Sequence, residues 1–197
     1  MATATAKAAV RTPDQPLAIR IMHWVHAACI LLLIWSGFYI HYPASFAFPG
    51  AMNGARIVHF ISMYVVVFNL IVKVYHAIVT GYYKSIWAYP RHFAQMGQLA
   101  AYYLWISEKE PKEGHLNPGQ RITYSFWLFL LIFEAITGFG LYFYLPSARL
   151  YIGGMQWLRT FHFLGAWLFA ITTLIHVYLG LYNGLHLFKG IITGYED

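Results

Sequence analysis

Polar and charged residues in this chain fall into short stretches that separate four long apolar runs, approximately Ile21–Tyr42, Ile57–Thr80, Ile122–Leu145 and Phe161–Tyr182. Each run is long enough to cross a bilayer, which takes roughly 20 residues. In lipid the backbone must satisfy its own hydrogen bonds, so the pattern predicts four membrane-spanning helices. A fifth apolar stretch, Phe93–Ile106, is too short to span, and its Tyr102, Tyr103 and Trp105 suit a helix lying in the interface. Pro43–Gly54 and Pro146–Gly154 are short connections, and Glu108–Gly114 is a charged loop with proline and glycine. The predicted fold is all-α: an integral membrane four-helix bundle, one membrane domain over residues 1–197, with an additional short interfacial helix on the cytoplasmic side.

Composition agrees with the pattern. The chain is 59% hydrophobic and only 10% charged, against about 25% charge in ordinary soluble domains. The first twenty residues are polar and carry Lys7, Arg11 and Arg20, which predicts no cleavable leader and an insertion directed by the first span. Four spans put both termini on one side. With that side cytoplasmic, ten basic residues (Lys7, Arg11, Arg20, Lys73, Lys84, Arg91, Lys109, Lys112, Arg121 and Lys189) lie inside and three (Arg56, Arg149 and Arg159) outside. This is the bias of a multi-pass protein of the cell's inner (plasma) membrane with cytoplasmic termini. The net charge of +6 is therefore a topology signal and gives no reason to expect nucleic acid. The lone cysteine, Cys29, lies in the first span, which excludes an internal disulfide and a covalent c-type haem.

Ten histidines in so apolar a chain call for a chemical reason, because polar side chains in membrane helices are costly. His162 and His176 stand fourteen residues apart on the fourth span. That separation returns to within roughly 40° of one helix face and covers about 21 Å. Two ligands so placed suit two haems stacked across a bilayer. His59, at the outer start of the second span, is level with His162; His23, at the inner start of the first, is level with His176. Neutral imidazole is a common axial ligand of haem iron. His26, one turn deeper than His23, competes for its role. His76 lies about 100° off the His59 face, and His41, His92, His115 and His186 read as boundary residues with ordinary solvation.

A short motif recurs at the histidines. Arg20-Ile-Met-His23, Arg56-Ile-Val-His59 and Arg159-Thr-Phe-His162 all read Arg-x-x-His at a span's entry. The spacing puts both side chains on one face, with the arginine a turn nearer the surface, where haem propionates would lie. A planar, permanently charged fork suits carboxylates; the alternative is an arginine that only snorkels at the membrane edge. Gly37, Gly138, Gly140 and Gly165 allow close approach of a macrocycle or of a neighbouring helix. Glu134, in the middle of the third span, reads as a hydrogen-bonding group toward another helix, with proton relay as the alternative.

These residues resemble a known family, the di-haem cytochrome b subunits of membrane-bound formate dehydrogenases, nickel–iron hydrogenases and thiosulfate reductases. The resemblance runs from Arg20 to about Gly194. It is carried by Arg20-x-x-His23-Trp24, Gly54-Ala-Arg56-x-x-His59, Asn117-Pro-Gly119-Gln120-Arg121, Thr137-Gly138, the His162/His176 pair and the tail His186–Gly194. It implies a cytoplasmic haem b on His23 and His176 and an outer haem b on His59 and His162. It further implies a quinone pocket (menaquinone or ubiquinone) at Asn117, Gly119 and Gln120 with His176 nearby, and an iron–sulfur subunit and a catalytic subunit docked outside. The tail tilts the expectation toward the formate dehydrogenase branch. Read from residues alone, Asn117 is also a helix cap with Pro118 at the first helical position. The rival functions are a free-standing b561-like electron-transfer cytochrome and, more remotely, a haem-free transporter or channel, for which the span interiors supply few polar residues.

Overall fold

The computed structural model describes residues 15–114, 116–143, 154–182 and 184–195. Lys7, Arg11, His115, Arg149, most of the Pro146–Gly154 connection and the side chain of His186 lie outside the described residues. Four helices are long and apolar enough to cross a membrane: α1 (Leu17–His41), α2 (Ala51–Val79), α6 (Pro118–Tyr142) and α7 (Met155–Tyr182). Three short helices, α3 (Tyr83–Ile86), α4 (Pro90–Ala94) and α5 (Met96–Tyr103), link α2 to α6, and α8 (Leu185–Thr193) follows α7.

Each spanning helix begins four to six residues before its apolar run, because its first turn is polar or interfacial. Local chemistry fixes these starts. Asn117 caps α6 by accepting the Gln120 N–H at 2.9 Å, while the Gln120 side chain accepts the Asn117 N–H at 2.9 Å, with Pro118 following. Gly50, with φ +75°, turns the chain into α2, and a Cβ on Gly54 would overlap the Pro49 carbonyl, so this tight turn between α1 and α2 requires glycine at both positions. The interfacial stretch is two helices rather than one, α4 and α5 breaking at Gln95, and it ends at Trp105 with φ +56°. The nine-residue α8 is an element that the apolar pattern did not predict; it lies between Gly184 (φ 121°) and Gly194 (φ 97°).

The bundle is built as two hairpins, α1 against α2 and α6 against α7, which meet each other much more sparingly than the helices within each hairpin do. Large apolar side chains such as Leu31, Phe68, Ile71, Ile136 and Leu174 face outward, as they must where the solvent is lipid. Small and polar residues turn inward: Ser36, Ser62, Asn69, Thr137 and Gly165 are all buried. A cluster of Cys29, Ile30, Val66, Leu130, Leu131 and Phe169 joins both hairpins. Phe169 lies seven residues from both His162 and His176, so this apolar plug sits about 10 Å along the helix from each.

Candidate functional site

Both predicted histidine pairs assemble. The ring centroids of His59 and His162 are 6.3 Å apart, and those of His23 and His176 are 6.5 Å apart. Two imidazoles bonded to opposite sides of one metal ion, each at about 2 Å, place their centroids about 6 Å apart. Helix α7 contributes to both pairs, α2 and α1 supply the partners, and all four rings stand in the cleft between the hairpins.

At the outer pair the second ring nitrogen is spoken for. Ser36 Oγ donates to the Leu32 carbonyl at 2.6 Å and lies 3.0 Å from His59 Nδ1. Thr137 Oγ1 donates to the Phe133 carbonyl at 2.9 Å and lies 2.9 Å from His162 Nδ1. A hydroxyl has one hydrogen, and each is committed to the backbone, so each oxygen accepts from its histidine. Nδ1 then carries the proton on both rings and Nε2 keeps its lone pair for a metal. The glycines that follow these hydroxyls leave room for the rings: a Cβ on Gly37 would stand 3.4 Å from His59 Cε1, and one on Gly138 would stand 3.1 Å from His162 Cε1. Ser36-Gly37 on α1 and Thr137-Gly138 on α6 are one device used twice, each facing an Arg-x-x-His on the next spanning helix. Gly140 and Gly165 instead admit neighbouring side chains, Leu158 and Glu134.

The inner pair is set among aromatics. Trp24 packs edge-on to His23 at 5.2 Å and Trp127 to His176 at 5.1 Å. Trp24 is anchored on the Ile191 carbonyl at 3.1 Å and Trp127 on Thr172 Oγ1 at 2.8 Å. His23 Nδ1 is buried without a hydrogen-bond partner. His26 is held differently. The Asn69 amide donates to the Met22 carbonyl at 2.9 Å and lies 3.2 Å from His26 Nδ1, which leaves His26 with its proton on Nε2. His23 therefore faces His176, and His26 is tied to α2. These observations fit a haem at each pair.

The remaining predicted residues are less uniform. Arg20 donates to the Ile192 carbonyl of α8, with its Nε buried and unpartnered, while Arg56 and Arg159 are exposed at the end of the bundle that carries His59 and His162. Asn117, Gly119 and Gln120 come together, but Asn117 is 3% exposed and its amide also donates to Glu110 at 2.9 Å. The capping role is thus fully realised. A Cβ on Gly119 would meet Leu99 of α5 at 2.8 Å. Trp127, which touches His176, lies seven residues further along α6, so His176 is about 10 Å deeper than Gln120.

His92 is a fully buried residue, not a boundary residue with ordinary solvation. Its Nδ1 accepts the Tyr89 N–H at 2.9 Å and its Nε2 lies 3.0 Å from Glu113, which also pairs with Arg91. Arg121, 6% exposed, donates to the carbonyls of Glu113 at 2.9 Å and of Lys84 at 3.4 Å. Folding of the 104–117 connection over α4 buries these groups, a long-range event with no local signature. The His92 hydrogen bond, followed by the charges of Arg91 and Arg121, holds the Glu113 carboxyl below its ordinary value of 4.5. Its contribution to the loop is complete above that value and is lost as pH falls through the lower folded value. Limited proteolysis of this loop accordingly speeds up on acidification below pH 4.5, and Glu113→Gln is fast at neutral pH already.

Comparison with known proteins places the chain in context. Residues 14–194 match the family described as prokaryotic cytochrome b561. The chain is 29% identical to the probable Ni/Fe-hydrogenase B-type cytochrome subunit of Azotobacter vinelandii, over 88% of this chain and 80% of the relative. Against the protein of the same name from Azotobacter chroococcum mcd 1 it is 30% identical, over 87% and 80%. It is 26% identical to the probable Ni/Fe-hydrogenase 1 B-type cytochrome subunit of Escherichia coli K12, over 83% and 79%. The hydrogenase side of the expected family has support in these names; the tilt toward formate dehydrogenase gains none from them.

Proposed function

The chain belongs to the prokaryotic cytochrome b561 family, and from that premise we propose that it is the di-haem membrane subunit of a hydrogenase-type respiratory complex. In this reading it carries electrons between a partner iron–sulfur subunit, docked outside with the catalytic subunit, and menaquinone or ubiquinone on the cytoplasmic side. Membrane electron transfer by a b-type cytochrome is the family's work. When bound, haem supplies reversible one-electron chemistry at iron, tuned by its axial ligands and their surroundings.

The observation that carries this reading is the pair of imidazole–imidazole separations, 6.3 and 6.5 Å, at two depths of one bundle. His59 and His162 would hold the outer haem through Nε2, with the Nδ1–H of His59 directed at Ser36 and that of His162 shared between Thr137 and Glu134. His23 and His176 would hold the inner haem. The apolar plug around Phe169 excludes water between the two sites. At the cytoplasmic end, Glu110 and Lys112, whose ammonium is 2.7 Å from that carboxylate, stand beside Asn117 and Gln120. There they supply polar groups next to the quinone stretch.

Membranes carrying the chain with its complex provide the test. Dihydrogen reduces the b-haem absorption band, and an added quinone analogue reoxidises it. Reduction by formate alone moves the chain to the formate dehydrogenase branch. Reduction by a small reductant of chain purified free of other subunits, with no response to either donor, would overturn the subunit reading in favour of a free-standing cytochrome.

A further inference from the structure

The inner and outer histidine pairs differ in what meets the second ring nitrogen, and one carboxyl group accounts for most of the difference. Glu134 reaches from α6 to α7 and places Oε2 2.9 Å from His162 Nδ1, the same nitrogen that Thr137 meets. Its other oxygen, Oε1, is buried without a partner. That oxygen lies where a Cβ on residue 165 would be, so glycine at 165 is what lets the carboxyl group stay against the ring. Burying a carboxyl group at mid-span is costly, and one imidazole nitrogen is the group it finds there. His59 meets the Ser36 hydroxyl and the Leu33 backbone but no carboxyl group, and His23 Nδ1 has no partner.

We propose that Glu134 is a positioning residue for His162, which shares the Nδ1–H of the ring with Thr137, holds Nε2 toward the outer haem and strengthens this histidine as a ligand. The inference rests on the di-haem reading above. A carboxylate behind a metal-bound imidazole raises the basicity of the ligand, and a stronger donor favours the oxidised iron. Glu134 therefore lowers the reduction potential of the outer haem and favours electron departure from it. The inner haem, whose His23 lacks any such partner, is not affected.

The test is a redox titration of the purified complex, with haem counted and each haem followed by its optical and low-spin EPR signals. Glu134→Gln and Glu134→Ala keep two haems per chain, shift the outer midpoint upward and move the outer EPR signal. The shift for alanine is at least that for glutamine, and the inner haem stays in place. Gly165→Ala pushes the carboxyl group off the ring without removing it and shifts the outer potential the same way, which covers the case where a Glu134 variant does not assemble. Two haems with the outer potential and signal unchanged in these variants, or equal shifts of both haems, would overturn the proposal. A wild-type protein without haem at this pair would instead remove the reading beneath it.

Discussion

Alanine at His59 or His162 removes one of two b haems and leaves the other, and alanine at His23 or His176 does the converse. In the di-haem reading each pair brackets one haem from two different helices, so losing one ring removes one of its two protein ligands and opens one face of the cleft. The haem-to-chain ratio then falls from two to one in each variant. The retained haem reports that the bundle has folded. His26→Ala keeps both haems, because Asn69 holds that ring toward α2 with its proton on Nε2. Haem quantitation on the five purified variants reads all of this at once. Loss of haem with His26→Ala and retention with His23→Ala would transfer one ligand by a turn.

Gly138→Val costs the outer haem as completely as removing His162. The glycine faces the ligand ring, and a single Cβ there already approaches His162 Cε1 to 3.1 Å. A branched side chain cannot be accommodated without turning the ring or parting α6 from α7, and overpacking of this kind costs about 1–3 kcal/mol before any loss of ligation. The inner haem is unaffected. Gly180→Ala, on α7 where nothing lies within 4 Å of the added carbon, is the matched control. It keeps both haems and gains up to about 1 kcal/mol from helix propensity. The haem ratio and thermal unfolding in detergent distinguish the two variants.

The spans were readable because twenty apolar residues have one solution in lipid. Their starts were not, since Leu17–Arg20, Ala51–Arg56 and Met155–Thr160 form first turns in the interface, where hydropathy falls although the helix has begun. The nine-residue α8 was legible only from Gly184 and Gly194 at its ends. The histidine pairing followed from spacing along α7 and depth matching. That His23 rather than His26 faces His176 did not, because Asn69, 43 residues away from His26, holds the His26 ring. Gly37 and Gly138 read as room for a macrocycle or a neighbouring helix; what they admit is the rings of His59 and His162, and the hydroxyl before each glycine, at Ser36 and Thr137, was the unused signal. His92 and Arg121 became buried through a loop whose path no local pattern encodes. Glu134 was expected to bond to a neighbouring helix; that its partner is the outer histidine follows only from the packing of α6 on α7.

The most direct test of the two-site account is the haem content and spin state of the wild-type chain, measured by haem extraction and EPR on purified protein. Two b haems per chain, both low-spin with two imidazole ligands, are the predicted result. A single haem, or none in a folded protein, would contradict it.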